Sequence, residues 1–182
     1  SDTVTNIGDS AFANNPLTSV TLSNTLQTIG GSAFAGCSAL TSVVLPETVT
    51  TLGGRAFYNC SNLASLNWPA AMANVGVEAF RGAGLTSIVV PEGITALPKG
   101  VLMFNTKLTS ITLPTTLTTI GVETFYGCSS MRDITVPAAV TQIGTNAFYQ
   151  WANAKIRLPN HLPNAVTGMP WAAGATTVVL WK

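Results

Sequence analysis

The stretch Leu40-Thr41-Ser42-Val43-Val44-Leu45-Pro46-Glu47-Thr48-Val49-Thr50-Thr51-Leu52-Gly53-Gly54-Arg55-Ala56-Phe57-Tyr58-Asn59-Cys60 decides the fold, because its parts recur along the whole chain. An apolar residue followed by Gly stands at Ile7-Gly8, Ile29-Gly30, Leu52-Gly53, Val75-Gly76, Ile120-Gly121 and Ile143-Gly144. Leu97-Pro98 belongs to the same series, whose interval is 22 or 23 residues. Five residues after each start come Phe12, Phe34, Phe57, Phe80, Leu102, Phe125 and Phe148, then Trp171 in a shortened eighth copy that begins at Val166. Phe104, two positions beyond Leu102, is a candidate substitute for the missing Phe. Self-similarity at a period of about 20–50 residues means a solenoid or array and overrides a reading by separate helices and strands.

The second half of each unit reads L-x-x-L-x-L-P, as in Leu85-Thr86-Ser87-Ile88-Val89-Val90-Pro91 and Leu108-Thr109-Ser110-Ile111-Thr112-Leu113-Pro114. Its alternation has the period of two expected of a strand with one buried face. Pro ends it, having no N–H to offer a ladder. From Pro to Phe the apolar residues are spaced three apart and then meet Gly, which reads as an irregular return path. Gly is expected there because it takes φ > 0 without a Cβ penalty, turning the chain into at most a short helical turn. One such unit cannot bury its own apolar stripe, so neighbouring coils must stack to form one continuous core. The strand side is narrower than the Phe-bearing return, so the strands are expected to line the concave surface.

This unit, L-x-x-L-x-L-P-x-x-L-x-x-I-G-x-x-A-F-x-x-C, resembles the repeat of the BspA-like (Treponema-type) leucine-rich repeat surface protein family. The resemblance covers nearly the whole chain, and Leu40–Cys60 matches almost position by position. It implies a leucine-rich-repeat solenoid of the α/β class, with one short parallel strand per coil and mostly irregular or short-helical return segments. About seven repeats of 22–23 residues and a partial eighth are expected. It further implies a secreted or surface-exposed protein that binds host matrix proteins or other cells, with no shared catalytic residues. A parallel β-helix is the competing fold, and one strand rather than three per 22–23 residues argues against it.

The chain is read as a single domain over 1–182. It is expected to be the C-terminal part of a longer array, with 1–6 the remnant of a preceding repeat and 166–182 a degenerate terminal repeat or cap. Val4 and Ile7 already match the return half of a repeat, while Trp151 and Asn153 depart from the Cys and first Leu positions. It starts at Ser1-Asp2 without Met or an apolar leader, as a mature product or excised piece would. Any signal or anchor is expected outside it.

Only 8% of the residues are charged and the formal net charge is +1, against about 25% charged in ordinary soluble domains. Nucleic acid and anionic membranes attract clustered Lys and Arg, and no basic block is present, so neither is an expected partner. The apolar run Val178–Trp181 is far shorter than the roughly 20 residues a membrane-spanning helix needs.

No residue set assembles a nucleophile, base and orienting group, so no enzyme and no cofactor are expected. Cys37, Cys60 and Cys128 all fall eight residues after a repeat start, which fits small buried thiols. Cys37 and Cys60 lie on adjacent coils, so their pairing stays open. No C-x-x-C pair or His cluster suggests zinc. His161, the single histidine, lies in Pro159-Asn160-His161-Leu162-Pro163 and reads as a surface-loop residue. Glu47 and Glu92 both follow a strand-ending Pro but are separated by an intervening coil, at best near the upper limit of the 5–10 Å glycosidase spacing and without a cleft. Asn59-Cys60-Ser61 matches the glycan acceptor pattern around a residue expected to point into the core.

Two outward ladders remain on the strands. One is Ser19, Ser42, Ser65, Ser87, Ser110, Asp133 and Lys155. The other is Thr21, Val44, Asn67, Val89, Thr112, Thr135 and Arg157. The candidate binding face is the part of these ladders from Asn67 to Arg157: Asn67, Val89, Thr112, Asp133, Thr135, Lys155 and Arg157. A second candidate is a rim stripe of Tyr58, Arg81, Tyr126, Tyr149 and Trp151, with Met103 in line, which equally suits cover for the core edge. The expected function is a non-enzymatic extracellular adhesion or recognition module for a protein or glycan ligand on a host or neighbouring cell. The alternative is a structural spacer or assembly segment of a larger surface protein.

Overall fold

The computed structural model describes residues 3–152, 154–159 and 162, together with the backbone of 178–181. The I-G starts each form a two-residue strand: β1 Asn6–Ile7, β2 Thr28–Ile29, β4 Thr51–Leu52, β6 Asn74–Val75, β8 Ala96–Leu97, β10 Thr119–Ile120 and β12 Gln142–Ile143. The L-x-x-L-x-L segments give β3 Ser42–Val43, β5 Ser65–Leu66, β7 Ser87–Val89, β9 Ser110–Thr112, β11 Asp133–Thr135, β13 Lys155–Leu158 and β14 Val178–Trp181. All pairing is parallel and in repeat register: Ser42 lies opposite Ser65, Ser87 opposite Ser110 and Asp133 opposite Lys155. Each inner coil is therefore a β-face strand, a short second strand and a run of turns, while residues 17–22 of the first coil form no strand.

The return is more ordered than a single-strand reading anticipates, and its glycines work differently. Gly30, Gly53, Gly76, Gly121 and Gly144 do not have φ in the left-handed region. They are needed because a Cβ at Gly53 would lie 2.4 Å from the Gly31 amide nitrogen, and one at Gly76 2.2 Å from that of Gly54. Each of these amides donates to the coil before it, Gly53 to Ile29 and Gly76 to Leu52. The left-handed φ falls two residues later, on Ser32, Arg55, Glu78 and Glu123, and again on Asn59, Gly82, Phe104 and Gly127.

That alternation organises the turns. Every second amide bonds back three residues, as Ala56 does to Gly53 and Tyr58 to Arg55. The intervening amides reach the next coil, Arg55 to Val77, Phe57 to Ala79 and Asn59 to Arg81. Backbone groups in a packed interior must be paired, and this pattern pairs them without a helix. No α-helix occurs among the described residues.

Between the three sides runs one apolar core. Phe12, Phe34, Phe57 and Phe80 stack ring on ring at 5.2, 5.2 and 6.1 Å. Leu102 fills the fifth place and is fully buried, so Phe104 is not its substitute and lies on the surface instead. The Cys position proves to be a donor position. Cys37, Cys60 and Cys128 give their thiol hydrogens to the carbonyls of Phe12, Phe34 and Leu102. Asn105 and Trp151 do the same for Phe80 and Phe125. Asn105 also accepts from the Leu85 amide. That amide is displaced because the Phe80-to-Leu85 segment is one residue shorter than Phe57 to Leu63.

The β-face pairing is interrupted between β9 and β11, and at one place the stack is interrupted on two sides together. Among the described strands β5 and β7 do not pair, nor do β6 and β8. Pro98 stands where other coils place Gly and has no N–H for the Val75 carbonyl, and Trp68 replaces the aliphatic strand residue found at Leu45 and Val90. A groove of about 430 Å³ between β6 and β8, lined by Leu52, Trp68, Val75, Ile94 and Pro98, marks the seam. Across it the turns stay bonded, Glu78 to Lys99, Phe80 to Val101 and Gly82 to Met103.

Candidate functional site: the strand face and the tyrosine rim

Pleating sends alternate strand side chains outward, and the predicted ladder is on the surface. Val89, Thr112, Asp133, Thr135 and Lys155 are exposed, and Arg157 is half-buried. Val44 and Val89 are 77% and 63% exposed, so the face carries isolated apolar points among hydroxyls. Arg157 forms an ion pair with Asp133 across β11 and β13. Lys155, opposite Asp133 in register, is left as a cation without an ion pair among the described residues.

Asn67 departs from the expectation of a free binding residue. It is half-buried, and its side-chain amide both accepts from the Leu45 amide at 2.7 Å and donates to the Leu45 carbonyl at 2.8 Å. In other coils the backbone performs the first of these bonds, as Val90 does with Thr112. Asn67 thus repairs the ladder where β3–β5 pairing stops.

The threonines just outside the ladder are committed as well. Thr86 and Thr109 donate their hydroxyls to the Ala64 and Thr86 carbonyls of the preceding coil, and Thr48 and Thr116 do so on the return side. By contrast, the Ser42, Ser65, Ser87, Ser110, Thr112 and Thr135 hydroxyls have no hydrogen bond among the described residues. Sequence alone does not separate these groups, because Thr and Ser occur in both.

On the rim, Tyr58, Arg81, Tyr126 and Tyr149 are half-buried. Trp151 is a correction: it is wholly buried at 0% exposure, because its indole N–H serves the Phe125 carbonyl. Met103 is buried and Phe104 takes its surface place. The stripe is continuous, with the Arg81 guanidinium 5.3 Å from the Tyr58 ring and 5.4 Å from Phe104. Phe104 then meets Tyr126 edge-on at 5.3 Å, and Tyr126 stacks on Tyr149 at 5.1 Å. Because Tyr126 and Tyr149 stack face to face, those two faces are covered.

Glu78 anchors the near end of this stripe by pairing with both Arg55 and Arg81. Burial pushes its carboxyl up, but the Arg55 hydrogen bond and charge, with Arg81 behind them, outweigh burial and hold it below the ordinary range. Arg55 and Glu78 carry no motif that would single them out. Their signal was only their place two residues after Gly.

Nucleophilic chemistry finds poor material here. The three cysteines are unpaired and buried, and burial pushes the Cys60 and Cys128 thiols up to about 12. A thiol that stays protonated is a weak nucleophile and metal ligand. No group of three His, Cys, Asp or Glu suited to a metal occurs among the described residues. Asn59 is exposed while Cys60 points into the core, as the sequence indicated. His161 and the side chains of the eighth copy lie outside the described residues.

Two parallel strand ladders joined by turns around a single Leu/Phe core define a leucine-rich-repeat solenoid. The chain belongs to the BspA-type leucine-rich repeat family, whose region model matches residues 1–105 and 101–167. A solved leucine-rich repeat protein of Eubacterium ventriosum is 30% identical, with a TM-score of 0.71 over 82% of this chain and 41% of that one. The Treponema pallidum leucine-rich repeat protein is 23% identical, with a TM-score of 0.65 over 70% of this chain and 72% of its own. The pneumococcal vaccine antigen PcpA is 21% identical, with a TM-score of 0.55; all of this chain is covered and it spans 56% of PcpA. A comparison with curated protein sequences finds no match.

Proposed function

We propose that this chain is a non-enzymatic recognition module of a bacterial surface protein and that it engages a protein partner through the strand face. The observation that carries the reading is the division of labour among hydroxyls. The Thr48, Thr86, Thr109 and Thr116 hydroxyls are spent on neighbouring coils, while those of Ser65, Ser87, Ser110, Thr112 and Thr135 have no hydrogen bond among the described residues, and Ser87 lies opposite Ser110. Val89 adds an apolar contact and Lys155 a charge at one end. A protein fits better than a glycan, because sugar recognition favours open aromatic faces and Tyr126 and Tyr149 cover each other's.

The test screens the chain against immobilised extracellular matrix proteins and a glycan array, then repeats the positive interaction with Val89→Asp, Thr112→Ala and Lys155→Glu. These exposed substitutions should leave stability within about 0.5 kcal/mol and abolish binding. Binding that survives all three but is lost with Tyr126→Ala and Tyr149→Ala would move the site to the rim and sink this reading.

A further inference from the structure

The seam between β6 and β8 lacks bonds between coils at neighbouring places, each with its own cause. Pro98 replaces the glycine whose amide elsewhere bonds to the coil before, as Gly76 does to Leu52 and Gly121 to Leu97. Gly93 stands where Thr48 and Thr116 give their hydroxyls to the Leu26 and Ile94 carbonyls, and it has no hydroxyl to give to Met72. The Met72 carbonyl accepts from the Trp68 indole of its own coil instead. Val75 is accordingly half-buried where Ile29, Leu52, Ile120 and Ile143 are buried.

Two facing lips result, and they carry opposite halves of a strand ladder. In other coils the carbonyls equivalent to Ala73 and Val75 are filled: Gln27 and Ile29 accept from Thr51 and Gly53, and Thr95 and Leu97 from Thr119 and Gly121. The Ala73 and Val75 carbonyls accept nothing among the described residues, and the Thr95 and Ala96 amides, equivalent to those of Thr118 and Thr119, donate to nothing there. Unpaired strand edges are templates for another backbone. The groove between them, of about 430 Å³, falls within the range of ligand clefts, about 300–1,000 Å³. Its floor is Leu52, Trp68 and Ile94, and no side chain that lines it is charged.

We propose that this seam binds one short extended segment of a partner polypeptide, uncharged and with apolar side chains at alternate positions, lying parallel between β6 and β8. Two amides of the segment, spaced two residues apart, meet the Ala73 and Val75 carbonyls. A carbonyl on its other edge meets the Thr95 and Ala96 amides, and its inward side chains rest on Trp68 and Ile94. A strand between two others needs its neighbours about 9.4–9.8 Å apart, and the bonded turns, Glu78 to Lys99 and Phe80 to Val101, are the hinge on which the lips part. A small apolar molecule would cover the floor and leave all four backbone groups unpaired, and a charged segment would find no counter-charge. The groove is on the second-strand side of the coil, and Val89, Thr112 and Lys155 do not line it. The site therefore goes beyond the strand-face reading and does not depend on it.

The probe is the blocked peptide acetyl-Thr-Val-Thr-Val-Thr-Val-amide, followed through the NMR shifts and hydrogen exchange of the Thr95 and Ala96 amides. At saturating peptide both amides should shift and exchange at least about tenfold more slowly. A fully N-methylated peptide, which keeps the side chains and loses the donors, should do neither. Pro98→Gly supplies the missing amide to Val75, so it should protect Ala96 in the free chain and weaken peptide binding at least about tenfold. A peptide that moves neither amide overturns the assignment, and so does equal binding of the N-methylated form, which would make the groove a site for apolar molecules. An Ala96 amide already protected in the unaltered free chain, whether by closure of the seam or by a dimer seen in light scattering, overturns it as well. So does a Pro98→Gly variant that protects Ala96 and still binds the peptide with unchanged affinity.

Discussion

On the turn side of this solenoid, side-chain donors hold coils together: the Cys60 thiol, the Asn105 amide and the Trp151 indole all end on carbonyls of the preceding coil. On the strand face, Ser42, Ser65, Ser87 and Ser110 donate to no group among the described residues. The backbone differs in the same sense. The turn bonds run unbroken across the seam at Pro98, while the strand ladders on both other sides stop there. Cohesion is concentrated where side chains are buried, and that leaves the strand face free to vary with little cost to the stack. Where β3–β5 pairing stops, the Asn67 amide takes over both bonds to the Leu45 backbone.

The sharpest challenge to this contrast is Gly76→Ala. Its Cβ would fall 2.2 Å from the Gly54 nitrogen, a backbone atom that cannot rotate away, so a loss of about 3 kcal/mol or more is expected in urea unfolding. A loss below about 1 kcal/mol would mean that the coils can separate locally and that the turn side is not the rigid part. Asn105→Ala comes next. It strips partners from the buried Leu85 amide and Phe80 carbonyl, at about 2–4 kcal/mol.

The thiols predict an alkaline weakness. Their folded values of about 12 lie above the unfolded value near 8.5. The stability they contribute is therefore complete below about pH 8.5 and falls as pH rises toward 12, by about 1.4 kcal/mol per pH unit for each thiol. Denaturant midpoints from pH 8 to 10 should show this slope, and Cys60→Ala with Cys128→Ala should flatten it. The smallest effect is expected on the other side: Ser87→Ala should change stability by less than about 0.5 kcal/mol. A larger loss would show that the Ser ladder is part of the scaffold after all.

Much of the fold was legible because the period repeats its constraints. The positions of β3, β5, β7, β9, β11 and β13 follow from L-x-x-L-x-L-P, although the first copy, at residues 17–22, forms no strand, and the buried Phe series follows from its fixed distance to I-G. The second strand of each coil was not legible. Two residues such as Thr51–Leu52 carry no alternation of their own and become a strand only by lying beside Thr28–Ile29 and Asn74–Val75. The glycine series was visible, but its cause was not, since close approach and left-handed φ call for the same residue. Of the candidate site, the outward ladder at Val89, Thr112 and Lys155 could be read from pleating. The commitment of Asn67 and the burial of Trp151 depend on partners 22 and 26 residues away.

By itself, then, the sequence determined that this chain stacks, at what interval and with which residues inside, because periodic apolar placement leaves no other way to remove that surface from water. The tertiary structure alone decided how each polar group is used. Whether a hydroxyl, amide or indole binds the next coil or faces solvent depends on which carbonyl the stacking brings within hydrogen-bond reach, and that distance is a property of two coils together.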